Sequence, residues 1–229
     1  MSFTNFLRDS LTLEPLVERA LPALRGQPLI RIWDAGCTNG AEPYTLAMLL
    51  REQMSEGVFR NVRIHATDSD PELGPQIAAG MYSEQEVKRI PYLLRYRYFQ
   101  VTGEPGYVQV VDEIRSRVSF ARHDLLSLVP PHDDFSLIVC KNVPLSFDAT
   151  ERRQVLRMFH SAMRPGGLLA TERTEKAPDG FDGLFEPVSN CTRIYRRLDA
   201  PERVRAHIDG SHDLRGDRPR RESYTRHRV

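Results

Sequence analysis

The sequence predicts an α/β fold: a doubly wound, mostly parallel sheet carrying a small antiparallel β insertion. Three observations carry this. A strand, a glycine turn and a helix follow one another from Leu29 to Leu50, LIRIWDAGCTNGAEPYTLAMLL. Later apolar runs stay apolar on consecutive residues, as strands covered on both faces require. Amphipathic helical stripes alternate with those runs, as βαβ units demand.

The bulk properties set limits. A chain of 229 residues, 40% apolar and 28% charged, is long enough to bury a core and reads as a soluble globule of one domain or slightly more. A net charge of +1 gives no global field to draw it to nucleic acid or to a membrane. No apolar run approaches the ~20 residues of a spanning helix, and no signal peptide is read ahead of Phe3. Cys37, Cys140 and Cys191 are odd in number and widely spaced. They read as reduced thiols of a cytoplasmic protein, without the C-x-x-C spacing of a zinc site, so no metal is expected.

In chain order, Leu16, Val17, Ala20, Leu21 and Leu24 form a helical stripe over about Leu11 to Leu24, despite Pro22. Residues 1–28 are read as an N-terminal segment and helix, and 29–198 as the main domain. Leu29 to Trp33 is the first strand. Gly36 and Gly40 in the turn after it permit positive φ and close approach of a ligand. The spacing D-x-G-x-x-x-G is not the dinucleotide G-x-G-x-x-G, because position 38 is Thr. Pro43 opens a helix with Leu46, Leu49, Leu50 and Met54 on its apolar side. Val62 to Ala66 is a second strand, ending in Thr67-Asp68-Ser69-Asp70-Pro71. Asp68 has two readings: an acid that accepts hydrogen bonds from a ribose, or part of a helix N-cap with Asp70 and Pro71.

Tyrosines and arginines interleave over Tyr92 to Phe99. That is read as a half-buried aromatic face in preference to a single-strand stacking surface. Val108, Val110 and Ile114, after the Gly103–Gly106 turn, suggest a β insertion over about 99–117. Val118 to Arg122 is a strand ending at His123-Asp124-Leu125. Phe135 to Cys140 is a fully covered strand ending at Lys141-Asn142. Asp148 and Glu151 are a capping pair before a helix with Val155, Leu156, Phe159, Ala162 and Met163 on one side. Pro165-Gly166-Gly167 is read as its stop, Leu168 to Thr171 as the next strand and Thr192 to Arg196 as the last. From Asp199 to Val229, eight arginines and six acids with few large apolar groups read as a disordered tail. It is either merely solvated or a basic docking arm.

Four strand ends thus carry polar tips: Asp34 to Glu42, Asp68, Asp124, and Lys141 with Asn142. Ligands of open α/β sheets bind outside the carboxyl ends of the strands. An acidic rim suits a ligand with hydroxyls, amines or a cation and suits a pyrophosphate poorly. S-adenosylmethionine meets that description better than a nicotinamide dinucleotide.

The segments AGCTNGAEPYTLAMLL, ATDSDPE, AAGMYS, RYRYF, HDLL, IVCKNVPLSFD and RMFHSAMRPGGLL, in this order, closely resemble the CheR family of S-adenosylmethionine-dependent chemotaxis (protein glutamate) methyltransferases. The likeness covers about Phe3 to Arg197. TNFLRD at the start is similar to the family's link between a helical domain and the catalytic domain, so most of that helical domain is expected to be absent. The resemblance implies a Rossmann-like class I methyltransferase sheet in a cytoplasmic signalling protein. The implied cofactor is S-adenosylmethionine, with S-adenosylhomocysteine as product. The implied acceptor is a glutamate of a protein such as a chemoreceptor's cytoplasmic helices, with no nucleic acid and no membrane insertion. Cofactor contacts are implied at Thr4, Arg8, Glu42, Asp68, Asp124, Leu125, Lys141 and Asn142, beside Gly36 of the turn. Asp68 would hold the ribose and Glu42 the amino-acid end, while Asp124 and Leu125 would border the adenine. Arg8 would also orient the acceptor.

Some positions depart from the family pattern. Ser2 and Asp124 each stand where the family has Asn, Ala41 replaces the first acid of G-E-E-P-Y, and Lys141 replaces an Arg. Ser146 replaces the tyrosine near the methyl-transfer site. Arg8 and Ser146 are therefore the candidate catalytic positions. The Ser146 change leaves two alternatives: a methyltransferase for a different carboxylate, or a cofactor-binding regulator with weak or no transfer.

Overall fold

The structure, a computed structural model, describes residues 6–7, 10–141, 147–171, 183–188 and 193–199, with the backbone alone for 10–12. Thr4, Arg8, Asn142, Ser146, Cys191 and the arginine-rich tail from Ala200 onward fall outside the described residues.

The first element is helix α1, Ser10–Leu24, whose stripe Leu13, Leu16, Val17, Ala20 and Leu24 is buried. Strand β1 is Ile30–Ala35, helix α2 Ala41–Gln53, helix α3 Glu56–Phe59 and strand β2 Val62–Asp68. Helix α4 is Leu73–Ala79, strand β3 Met81–Ser83, helix α5 Glu84–Val87 and helix α6 Tyr92–Tyr98. Strand β4, Phe99–Val101, strand β5, Tyr107–Val110, and helix α7, Asp112–Arg115, lead to strand β6, Val118–Arg122. A 3-10 turn, Leu125–Ser127, precedes strand β7, Phe135–Val139. Helix α8 is Ala149–Ala162, strand β8 Met163–Ala170, strand β9 Phe185–Pro187 and strand β10 Ile194–Arg197.

Seven strands form one sheet in the order β6-β2-β1-β7-β8-β10-β9. β1 runs parallel to β2 and β7, β2 to β6 and β7 to β8, while β10 is antiparallel to β8 and β9. The chain winds outward from β1 to β6, then returns to place β7 on the other side of β1. The gap between the ends of β1 and β7 is therefore the topological switch point. Alternation along β1 divides the core. Ile30 and Ile32 face α1 and α2, while Trp33 and Ala35 face α8 with Phe135, Phe159 and Leu169. Both sides are apolar, which is why β7 reads as a nearly continuous run rather than an alternating one.

A separate sheet has the order β3-β5-β4, all antiparallel. Its first strand comes from Met81–Ser83, upstream of the residues whose pattern signals an insertion. Two expectations need correction. β8 starts at Met163 and runs through Pro165-Gly166-Gly167, because its pairing with β7 shifts register between Phe135 and Leu137 and leaves room for those residues. The stop to α8 is the extended backbone of Met163 itself (φ −86°, ψ 152°). The Tyr92–Phe99 stretch is also not uniformly half-buried. Tyr98 and Phe99 are buried, but Tyr92 and Tyr96 are exposed and stack on each other one helical turn apart.

Candidate functional site

The turn after β1 is shaped for close approach. Gly36, Thr38 and Gly40 all have positive φ, 90°, 51° and 86°. A Cβ on Gly40 would lie 2.7 Å from the Tyr82 hydroxyl and 2.8 Å from Ile77 Cγ1, so only glycine fits there. Tyr82 donates to the Asn39 carbonyl at 2.9 Å, tying the small sheet to the turn. The amides of Gly36 and Cys37 donate to the Thr67 carbonyl at 2.8 and 3.0 Å, which locks the end of β1 to β2. Phe6 packs edge-on against Tyr82 at 4.8 Å and Phe99 at 5.4 Å. The Leu7 amide donates to Thr45 Oγ1 of α2 at 3.2 Å, so the N-terminal segment is seated beside the turn.

At the end of β2, Asp68 accepts from the Thr38 amide at 3.0 Å and from the Asp70 amide at 3.2 Å. It is half-buried, and a carboxylate has about four lone-pair sites, so acceptor capacity remains on the rim side. Asp70 accepts from Glu72 rather than capping α4, whose N-cap residue is Glu72. The cap reading of Asp68 therefore gives way to one in which it braces the glycine turn.

The switch point holds a buried charge cluster. Lys141, just past β7, forms an ion pair with Glu42 in the first turn of α2. Their side chains are 2% and 10% exposed. Beside them Asp34, at the end of β1, is fully buried. Burial, then the charge of Glu42, push its carboxyl well above the usual carboxylate range, with Lys141 opposing and Asp68 adding to the rise. The Cys37 thiol is pushed up by burial and by Asp34 and Asp68, so it is no nucleophile at neutral pH.

At the sheet edge, the His123 amide donates to the Asp68 carbonyl at 2.8 Å and brings the end of β6 beside that of β2. Asp124 is exposed and caps the 3-10 turn through the Leu126 amide at 2.9 Å. Leu125 is buried against the Trp33 side of the core. Gly36, Glu42, Asp68 and Lys141 thus share the centre of the rim, with Asp124 and Leu125 at its β6 end. Asp34 is the member that the expected contact set omits. Its signal is an acid at the penultimate position of a strand that is otherwise almost wholly buried.

The residues fit S-adenosylmethionine by the chemistry of the donor set. Asp68 offers acceptors for a ribose, Glu42 one for an ammonium, and the glycine turn offers bare backbone between them. A seven-stranded sheet of this order with such a rim defines a Rossmann-like, class I S-adenosylmethionine-dependent methyltransferase domain. Residues 2–194 match the family described as CheR methyltransferase, SAM binding domain, and the chain belongs to that family. It is 35% identical over 189 residues to chemotaxis protein methyltransferase 1 of Pseudomonas aeruginosa, covering 78% of this chain and 68% of that protein. It is 32% identical over 177 residues to chemotaxis protein methyltransferase 2 of Vibrio cholerae, covering 75% and 61%. An uncharacterized 104.1 kDa protein of Rhodobacter capsulatus is 35% identical over 200 residues, 85% of this chain but 21% of that one. The chain thus spans from about a fifth to two thirds of these relatives. Among solved structures, a TehB-like SAM-dependent methyltransferase from Corynebacterium glutamicum superposes with a TM-score of 0.44 at 18% identity, over 79% of this chain and 84% of that one. Among the described residues, no helix is long and apolar enough to cross a membrane.

Proposed function

We propose that this domain transfers a methyl group from S-adenosylmethionine to a glutamate carboxylate of a protein, the cytoplasmic helices of a chemoreceptor being the acceptor. The observation that carries the reading is the Glu42–Lys141 pair at the switch point with Asp68 on the neighbouring strand, in a chain of this family. When bound, the cofactor supplies a methyl group on a sulfonium, an electrophile that an ionised carboxylate takes without a proton being moved. A glutamate of ordinary pKa, ~4.3, is already ionised at pH 7, so the chain need supply no general base.

What the chain must supply is placement and dryness. Lys141 fixes the Glu42 carboxylate, which receives the cofactor's amino-acid end. Asp68 takes the ribose, and Gly36 lets the ligand lie against the backbone. Leu125 and Asp124 border the adenine. Thr4 and Arg8 flank the Phe6–Leu7 seat in sequence and are assigned to the cofactor, with Arg8 also orienting the acceptor carboxylate through a bidentate pair. Asn142 completes the cofactor set. Ser146 keeps a hydroxyl but is about 4 Å shorter in reach than a tyrosine, so acceptor choice is where this chain differs from its family.

The test is calorimetry with S-adenosylmethionine followed by a labelled-methyl assay on receptor cytoplasmic fragments. Base-labile label on glutamate supports the reading. Cofactor binding with no transfer to any receptor fragment removes the receptor as acceptor.

A further inference from the structure

The amino-terminal ends of three neighbouring strands carry an arginine each. Arg31 of β1 is the register partner of Arg63 of β2. Ile64 pairs with Val118 of β6, and its amide donates to the Arg117 carbonyl at 2.8 Å, so Arg117 lies beside Arg63 one step earlier. Side chains alternate along a strand. Ile32, Ile64 and Val118 face the α1–α2 side of the core, so Arg31, Arg63 and Arg117 stand abreast on the opposite side. At a strand spacing of about 4.8 Å they span about 10 Å. Along β1, at ~3.3 Å per residue, Gly36 lies about 16 Å from Arg31, so these arginines sit at the other end of the sheet from the cofactor rim. Arg63 is exposed and Arg31 and Arg117 are half-buried, so a solute reaches them.

Like charges directly opposite on neighbouring strands are destabilising, and little offsets them here. Arg63 and Arg117 both donate through Nη1 to the Arg60 carbonyl, at 2.8 Å each, so two guanidiniums crowd one oxygen. Arg117 Nε is buried with no hydrogen-bond partner. Among the described residues, Arg31, Arg63 and Arg117 form no ion pair. Acids of the adjoining segments are engaged elsewhere: Glu56 with Arg60, Glu113 with Arg51 and Asp134 with Arg164. Neighbouring groups feel the excess of positive charge. Burial and His132, then Arg31 and Arg63, push the imidazole of His65, the next residue on that face of β2, down to about 4. Burial, then Arg63 and Arg60, lower the Arg117 guanidinium from its ordinary value. Residues 199–229 do not bring the missing charge, since their eight arginines outnumber their six acids.

We propose that Arg31, Arg63 and Arg117 form a binding site for a soluble ligand bearing a diphosphate group, separate from the cofactor site. Guanidinium forks match phosphate oxygens two at a time. A lone carboxylate brings one charge and two oxygens, too few for three forks spread over about 10 Å. A diphosphate brings several charges and two sets of outer oxygens, so it bridges neighbouring forks and relieves their repulsion. S-adenosylmethionine carries no phosphate and is not the occupant.

The experiment is calorimetry of the full chain with inorganic pyrophosphate, free of divalent metal and at constant ionic strength so that screening does not change. The wild type should bind one pyrophosphate per chain with a Kd below about 1 mM, and inorganic phosphate at least about tenfold more weakly. The Arg31 side chain makes no hydrogen bond or ion pair among the described residues, so Arg31→Gln should fold as the wild type does and weaken pyrophosphate binding by about tenfold or more. Arg95→Gln, on α6, should leave the affinity unchanged. Absence of saturable binding by the wild type overturns the proposal. An equal loss in Arg95→Gln also overturns it, because the attraction is then general charge. A polyglutamate peptide that binds through Arg31 more tightly than pyrophosphate overturns it in favour of an acidic protein surface. A check on the wild type alone needs no variant. Saturating S-adenosylhomocysteine should leave pyrophosphate binding intact, and competition between the two would put the pyrophosphate at the cofactor rim and sink the separate site.

Discussion

Lys141→Met tests whether the buried ion pair holds the switch point together. Methionine keeps the length and apolar stem of lysine and removes the charge. Glu42, 10% exposed, is then left beside Asp34 without that cation. Breaking a buried pair from one side costs about 3–5 kcal/mol. The abandoned carboxylate has an escape, which is to bind a proton. For a glutamate of ordinary value near ~4.3, that costs about 3.7 kcal/mol at pH 7 and about 1 kcal/mol at pH 5, at 1.36 kcal/mol per pH unit. The escape caps the loss, so the expected destabilisation is about 3–4 kcal/mol at pH 7 and about 1 kcal/mol at pH 5.

At pH 7 that is a fall in Tm of about 6–16 °C for a domain of this size. The assay is urea unfolding followed by the fluorescence of Trp33, the single tryptophan. It is fully buried and bonded through Nε1 to Thr67 Oγ1 at 2.8 Å. Adding Glu42→Gln to Lys141→Met should restore much of the lost stability, because no buried charge then lacks its partner. A loss of the same size at both pH values would refute the electrostatic account and leave packing as the cause. A loss under about 1 kcal/mol at pH 7 would mean that water reaches the pair.

Asp68→Ala should weaken S-adenosylhomocysteine binding by about 1–3 kcal/mol, the worth of a hydrogen bond to a charged group, measured by calorimetry; unchanged affinity takes Asp68 out of the site. Asp34 gives a pH signature in the absence of ligand. Its folded pKa is raised, so the folded state holds more protons than the unfolded one above the ordinary value near ~3.9, and its contribution to stability is lost as pH rises through the folded value. Denaturation across pH 4–9 should show a downward contribution of at most about 1.4 kcal/mol per pH unit that Asp34→Asn abolishes; parallel curves would refute it. Ser146→Tyr should raise kcat towards a receptor glutamate with little change in cofactor Kd, because the hydroxyl would act on the acceptor near the transition state. A gain in cofactor affinity without a gain in kcat would place position 146 against the cofactor instead.

The parts of the fold that were legible are those where one local rule acts without competition. β7 is apolar on nearly every residue because the sheet is covered on both faces there. The start of α8 is legible because Asp148 and Glu151 do satisfy each other's backbone amides, with Asp148 accepting from Thr150 and Glu151 and Glu151 from Asp148. β3 and β9, at three residues each, are too short to show a period. The path of β8 through Pro165-Gly166-Gly167 was misread because those residues break structure locally. Here the neighbouring strand β7 tolerates them through a register shift, a tertiary fact that no local pattern carries. Tyr92 and Tyr96 divide from Tyr98 by the same logic. All three look alike in sequence, but only Tyr98 turns under α6 to meet Glu52 of α2.

The site was legible to the depth of the strand ends and no further. That Asp68 and Lys141 share a rim follows once the strands are parallel. That Lys141 meets Glu42 follows only when β7 lies directly beside β1, which puts the chain's return across the switch point from the first helix. Asp34 shows what was available and unused. β1 buries both its faces, so an acid at its penultimate position has no solvent to face. A carboxyl so placed must be paired with a cation or hold a proton. Among the described residues, the buried lysine nearby is paired with Glu42, and burial pushes the Asp34 carboxyl well above the usual carboxylate range. Sequence alone identifies the acid and its strand. It does not say which carboxyl pairs with the lysine, because that depends on β7 lying beside β1 and on where α2 starts.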